Sequence, residues 1–163
     1  MNQSAQAGID KNSNEATSLK IAIVSSCWHK PIVDNAVQSA RTHLIENGVA
    51  GGDVECFELP GAFELPLYAM KLAKSGRYDA VIACGFVVDG GIYRHEYVAS
   101  AVINGLMQAQ LESGVPVFSA VLTPHNFQES QEHIDFFAKH FLVKGTEVAR
   151  SCLSTIESLK KLS

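Results

Sequence analysis

A chain of 163 residues is long enough for one domain around one core. Its 47% apolar and 18% charged residues are the balance of an ordinary globular protein. The net charge of −4, with Lys and Arg scattered, leaves no electrostatic footprint for nucleic acid or an anionic membrane, and no apolar run is long enough to span a bilayer.

Residues 1–18 are polar and lack the charged head and apolar stretch of a secretory signal. They read as a flexible tail on a cytoplasmic protein, ahead of one α/β domain over residues 19–163. Leu19 to Ser26 is apolar and β-branched, the pattern of a buried strand. Pro31 suits the first turn of a helix whose stripe is Val33, Val37, Ala40 and Leu44, stopped by Gly48. A second strand runs from Asp53 to Leu59 and ends at Pro60-Gly61. The second helix turns Leu65, Ala69 and Leu72 inward and ends at Gly76. Ala80 to Gly85 is a third buried strand. After a loop, a long helix is predicted to place Val98, Ala101, Val102, Gly105 and Ala109 on its inner face and to close at Gly114. Val115 to Leu122 is the fourth strand. Two further helices are expected, over Asn126 to His140 and over Thr146 to Leu162, the latter with Val148, Cys152, Ile156 and Leu159 inward.

Alternating strands and helices imply an α/β fold: a four-stranded parallel sheet with right-handed crossovers and helices on both faces. There is no internal repeat and no inner linker. Cys27, Cys56, Cys84 and Cys152 form no CxxC pair and sit inside strand or helix patterns. They read as free, buried thiols rather than a disulfide framework, with Cys27, near a strand end, the one candidate nucleophile.

Parallel sheets bind ligands beyond the carboxyl ends of their strands. Beyond strand one come Cys27, Trp28 and His29, and Trp28 is the only tryptophan. Its indole either offers a flat face to a planar heterocycle or plugs the edge of the core; position does not separate the two. Beyond strand two, Gly61 lets the backbone approach a ligand, the amides of Ala62 and Phe63 point out of a helix start, and Glu64 can accept from sugar-alcohol hydroxyls. Taken locally, a plain capping turn with Glu64 favoured by the helix dipole is the simpler account. Beyond strand three, Gly90-Gly91 ahead of a helix can cradle an anion, although most such pairs are only turns. Arg94 and His95 at the helix start supply a permanent cation and a group that titrates near neutrality, or form a solvated outer pair. Beyond strand four, His125, His133 and His140 lie eight and seven residues apart, not at the i, i+4 spacing of helical metal ligands. No metal site is predicted; anion contact or exposed surface is favoured.

Read together, residues 60–66 (PGAFELP), 85–98 (GFVVDGGIYRHEYV), 115–124 (VPVFSAVLTP) and Val143-Lys144-Gly145 before the last helix resemble, in order and spacing, the lumazine synthases of riboflavin biosynthesis. The resemblance runs from about Leu19 to the C-terminus. It implies a flavodoxin-like three-layer fold. It implies a cofactor-free condensation of 5-amino-6-(D-ribitylamino)uracil with 3,4-dihydroxy-2-butanone 4-phosphate, giving 6,7-dimethyl-8-ribityllumazine, phosphate and water. It also implies a homo-oligomer built from pentamers, as a decamer, with sites between neighbouring subunits.

Carried over by motif, Trp28 is similar to the aromatic that stacks on the pyrimidine. Ala62, Phe63 and Glu64 match the ribityl-binding turn. Phe86, Val87 and Val88 match the segment that meets the pyrimidine edge through its backbone. Gly91 and Ile92 match the phosphate-side loop, with His133 and Lys144 around the phosphate, and Ser119 stands where many members have a Phe covering the ring from the adjacent subunit. The departures are specific. Where many members read HFDYV or HFEYV, this chain has Arg94-His95-Glu96-Tyr97-Val98, and His133 replaces a phosphate-binding Arg. Alignment makes Arg94 the catalytic position, whereas chemistry makes His95 the better proton shuttle. This pattern resembles a divergent branch of the family. A flavin-binding or shell-forming relative with little activity is the alternative reading.

Overall fold

The computed structural model describes residues 18–163, so the predicted tail falls outside the described residues except for Ser18. The elements in chain order are β1 (Ile21–Ser26), α1 (Lys30–Glu46), β2 (Val54–Leu59), α2 (Leu65–Lys74), β3 (Ala80–Phe86), α3 (His95–Ser113), β4 (Val117–Leu122) and α4 (Gln131–Lys160). The four strands are all parallel, in the order β2-β1-β3-β4. Every residue of β1 and β3 is buried, which is why those strands read as largely apolar runs without alternation, Ser25 and Ser26 being the buried polar residues at the end of β1. The edge strands β2 and β4 mix buried and exposed positions.

Two cores flank the sheet. One holds Ile21, Ile23, Ile82 and Cys84 against Val33, Ala40 and Leu44 of α1 and Val148, Cys152 and Ile156 of α4. The other holds Ala22, Val24, Val81 and Ala83 against Leu65 and Ala69 of α2 and Val102 and Leu106 of α3. The inner face of α3 differs from the predicted one: Val102, Leu106 and Ala109 are buried and Ala101 is exposed. A spacing of 102, 106 and 109 keeps one face of a 3.6-residue helix, and Ala101 lies a quarter-turn outside it. The cysteines also differ. All four are free, but only Cys84 and Cys152 are buried, while Cys27 and Cys56 are exposed. Burial pushes the Cys84 and Cys152 thiols up to about 12, so both are neutral packing groups.

The largest correction lies at the C-terminal end. Instead of two helices there is one of 30 residues, and the Val143-Lys144-Gly145 stretch lies within it. The chain is not helical from Asn126 to Ser130; Ser130 caps α4 by accepting from the His133 amide at 3.4 Å. Glycine weakens a helix interior by about 1 kcal/mol relative to Ala, which is why Gly145 looked like a boundary. It is retained because α4 presses against α1 there: a Cβ on Gly145 would run into Ser39 Oγ and the Ala36 carbonyl. Ser39 Oγ also donates to the Leu142 carbonyl at 2.7 Å across the same crossing. Gly145→Ala is therefore expected to destabilise the fold by about 1–3 kcal/mol despite its better helix propensity. A urea melt would show a lowered midpoint; a raised one would mean propensity, not close packing, governs the position.

Candidate active site

The strand order leaves one crevice. Because β2 lies on one side of β1 and β3 on the other, α1 and α2 leave toward opposite faces and open the carboxyl edge between β1 and β3. A cavity of about 630 Å³ lies there, walled by Trp28 and His29 after β1, Phe86, Val88 and Tyr93 on and after β3, and Phe127 after β4. Asp89, Gly90 and Glu129 complete its rim.

Trp28 is half-buried. It packs on the edge of the α2–α3 core and also faces the cavity, 6.5 Å from the Tyr93 ring at a 41° tilt. The indole thus plugs the edge of the core and at the same time leaves a face toward the cavity. Gly61 does allow a close approach, but what approaches is the Trp28 indole: a Cβ on Gly61 would overlap its five-membered and six-membered ring atoms. The turn beyond Gly61 is a short 3₁₀ segment, Ala62–Glu64, in which Ala62 is fully buried while Phe63, 60% exposed, and Glu64 face outward. Phe86 and Val87 are fully buried and Val88 nearly so. The Val87 amide donates to the Leu122 carbonyl at 3.0 Å, so that donor is already used by β4.

The loop after β3 forms a second depression of about 330 Å³, which shares Asp89 and Tyr93 with the first. Gly91 adopts φ +72°, and its amide donates to Asp89 Oδ1 at 3.0 Å. Ile92 is 94% exposed. Arg94 Nε donates to Glu96 Oε1 at 2.9 Å, and the guanidinium lies 4.6 Å over the Tyr97 ring. His95 opens α3 with its Nδ1 3.5 Å from Glu96 Oε2. The Glu96 carboxyl is held below the usual carboxylate range, first by its own backbone amide at the helix start and then by Arg94.

Trp28, Ala62 to Glu64, Phe86 to Val88, Gly91, Ile92, Arg94 and His95 thus all lie at the carboxyl edge, Phe86 as the last residue of β3, His95 as the first of α3 and the others between strand and helix. Ser119 and Lys144 do not. Ser119 sits mid-strand on the edge strand β4, opposite Ala83, with its Oγ accepting from the Val121 amide at 3.3 Å. Lys144, paired with Glu147 at 2.7 Å, shares with Ser119 a separate depression of about 240 Å³. His133 lies in the first turn of α4. Its Nδ1 accepts from the Gln128 amide at 3.1 Å, and its ring lies 6.1 Å from Phe127. Among the described residues, no three His, Cys, Asp or Glu side chains gather into a metal-binding group.

The sequence reading passed over His29, Asp89 and Tyr93. All three follow the two central strands, and their nearness to the β1–β3 crevice was the available signal. His29 is the only non-glycine described residue at positive φ, +51°, and its ring stands edge-on between Phe86 and Phe127 at 5.5 and 5.4 Å. Asp89 places a carboxylate in the loop expected to hold an anion. Because Trp28 is the only tryptophan, its emission reports the turn directly. Gly61→Ala is expected to shift that emission to longer wavelength as the indole is pushed into solvent, with the circular dichroism of the fold unchanged. An unshifted spectrum would mean the turn, not the indole, yields.

A family model for 6,7-dimethyl-8-ribityllumazine synthase matches residues 18–160. The 6,7-dimethyl-8-ribityllumazine synthase of Rhodococcus erythropolis is 52% identical over 149 residues, 91% of this chain and 96% of the relative. The 6,7-dimethyl-8-ribityllumazine synthase 2 of Pseudomonas syringae pv. tomato is 46% identical over 154 residues, 94% and 91% of the two chains. That of Bradyrhizobium diazoefficiens is 49% identical over 148 residues, 88% and 86%. With the parallel sheet, the switch-point cavity and these matches in place, the chain belongs to the 6,7-dimethyl-8-ribityllumazine synthase family.

Proposed function

We propose that this chain condenses 5-amino-6-(D-ribitylamino)uracil with 3,4-dihydroxy-2-butanone 4-phosphate to 6,7-dimethyl-8-ribityllumazine, releasing phosphate and water. Membership of the family supports the reaction. The observation that carries the assignment to this site is the indole of Trp28, held over Gly61 at the mouth of the switch-point cavity. A flat pyrimidine stacks on it, with the backbone of Phe86, Val87 and Val88 at its edge and Glu64 with the Ala62–Phe63 turn along the ribityl chain. Gly91 and Ile92 flank the phosphate in the adjoining depression.

The pyrimidine's free amine attacks the ketone carbon and water leaves as an imine forms. Phosphate is then eliminated, and the ribityl-bearing nitrogen closes the ring with loss of a second water. Each step needs a modest proton transfer. A guanidinium is a permanent cation, so Arg94 serves the ketone oxygen and the departing phosphate as a positive charge. His95, the more enclosed of the two with 19% of its side chain exposed against 69% for Arg94, shuttles the protons. The reactants are intrinsically reactive, and holding them in register supplies up to about 7–11 kcal/mol.

A pentamer-based assembly, as a decamer in the cytoplasm, completes this reading. The two adjoining depressions of one chain contain a single Lys or Arg, Arg94, already paired with Glu96. A phosphate dianion needs more positive charge. Ser119 and Lys144 lie on a separate face, where a neighbouring protomer's rim would meet them, and His133 adds an imidazole. Exposed Phe63 in the turn before α2, with Leu67, Tyr97, Met107 and Leu111 along α2 and α3, offers the apolar area for such contacts.

Formation of fluorescent lumazine from the two substrates tests the function; a rate equal to the uncatalysed background would overturn it. His95→Ala is expected to lower kcat by about 100-fold. Arg94→Ala is expected chiefly to raise KM for the sugar phosphate. Trp28→Ala should raise KM for the pyrimidine about 2- to 12-fold, the equivalent of about 0.5–1.5 kcal/mol of stacking. Full turnover in His95→Ala would remove it from proton transfer.

A further inference from the structure

We infer that Glu96 is a positioning residue for the reaction, its carboxylate holding Arg94 through one oxygen and His95 through the other. The inference rests on the functional reading above and extends it to a residue that touches neither substrate in that reading. At Arg94 the backbone is still extended, φ −80° and ψ 95°, and at His95 it enters α3. This change of course brings the side chains of residues 94 and 96 together, so that Oε1 takes the Arg94 Nε hydrogen at 2.9 Å while Oε2 stands 3.5 Å from His95 Nδ1. The carboxylate belongs there in its charged form, because it sits in the first turn of a helix where free amides and the dipole favour an anion.

Each contact has a chemical consequence. Arg94 has five N–H donors, and only the Nε edge is engaged by Glu96. The Tyr97 ring beneath the guanidinium fixes its plane, so its terminal amino groups form a steered fork for the phosphate or the ketone oxygen. For His95, a carboxylate at Nδ1 turns the ring and leaves Nε2 to exchange protons with the substrate. At 3.5 Å this contact is longer than a good hydrogen bond, as is common for catalytic pairs before substrate arrives. Glu96 is also the acid shared by the two groups in which this chain departs from the usual family run, so one carboxylate sets the geometry of both.

The side chain is about half exposed, and an ion pair so placed contributes little to the fold. Glu96→Gln should therefore leave the melting temperature and the KM for the pyrimidine unchanged while lowering kcat about tenfold or more. In a His95→Ala background the same change should cost clearly less in kcat than it does in the wild-type chain, because the carboxylate then has only Arg94 left to orient. Glu96→Gln turning over at the wild-type rate would overturn the inference, as would a full, multiplicative loss on top of His95→Ala. Loss of pyrimidine affinity together with kcat would mark Glu96 as a structural residue and overturn it equally. Absence of turnover in the wild-type chain would instead sink the functional reading itself, which keeps the two failures apart.

Discussion

Parallel pairing of β1 with β3, Ile21 against Ala80 through Ser25 against Cys84, governs where everything else can go. It forces β2 to the outer side of β1, sends α1 and α2 to opposite faces, and leaves the carboxyl edge open only between the two central strands. A parallel crossover must clear the sheet, so no loop can refill that gap without breaking the handedness of the connections. The loops after β1 and β3 inherit the crevice, and with it the Trp28, His29 and Tyr93 rings that wall it.

Around that crevice the structure depends on close approaches more than on charge. Gly61 yields its side-chain space to the Trp28 indole, as Gly145 yields its own to Ser39 and Ala36. Phe86, fully buried at the end of β3, gathers the rings of His29, Phe127, Phe137 and Phe141 within 5.0–5.5 Å of its own, tying the rim of the cavity to α4. Such a rim is rigid because displacing one ring opens a void beside several others.

Electrostatically the single chain is unfinished. Asp89, Glu96 and Glu129 outnumber Arg94 around the two adjoining depressions, although the proposed reaction releases an anion there. Lys144 lies on a different face, together with Ser119 on the unpaired edge of β4. An exposed strand edge and exposed apolar side chains on α2 and α3 are features that natural proteins cover. The proposed assembly of protomers would cover them and would bring a further cation to the site in a single arrangement.

Much of this was legible in the residues. The largely apolar stretches from Leu19 to Ser26 and from Ala80 to Gly85 read as buried strands, the stripe at Val33, Val37, Ala40 and Leu44 as α1, and the turn residues at 60–61 and 90–91 fell in the loops that follow β2 and β3. Periodicity and turn chemistry are local, so a sequence determines them by itself. What it left undecided depends on neighbours remote in the chain. Gly145 ends a helix by propensity and continues one only because α1 lies against it. Gly61 looks like a ligand's landing place until Trp28, 33 residues earlier, is folded onto it. The unequal exposure of Arg94 and His95 likewise appears only once α3 packs. Tertiary structure decided these points because each turns on which atoms occupy the space a side chain would need, and that space does not exist until the sheet has formed.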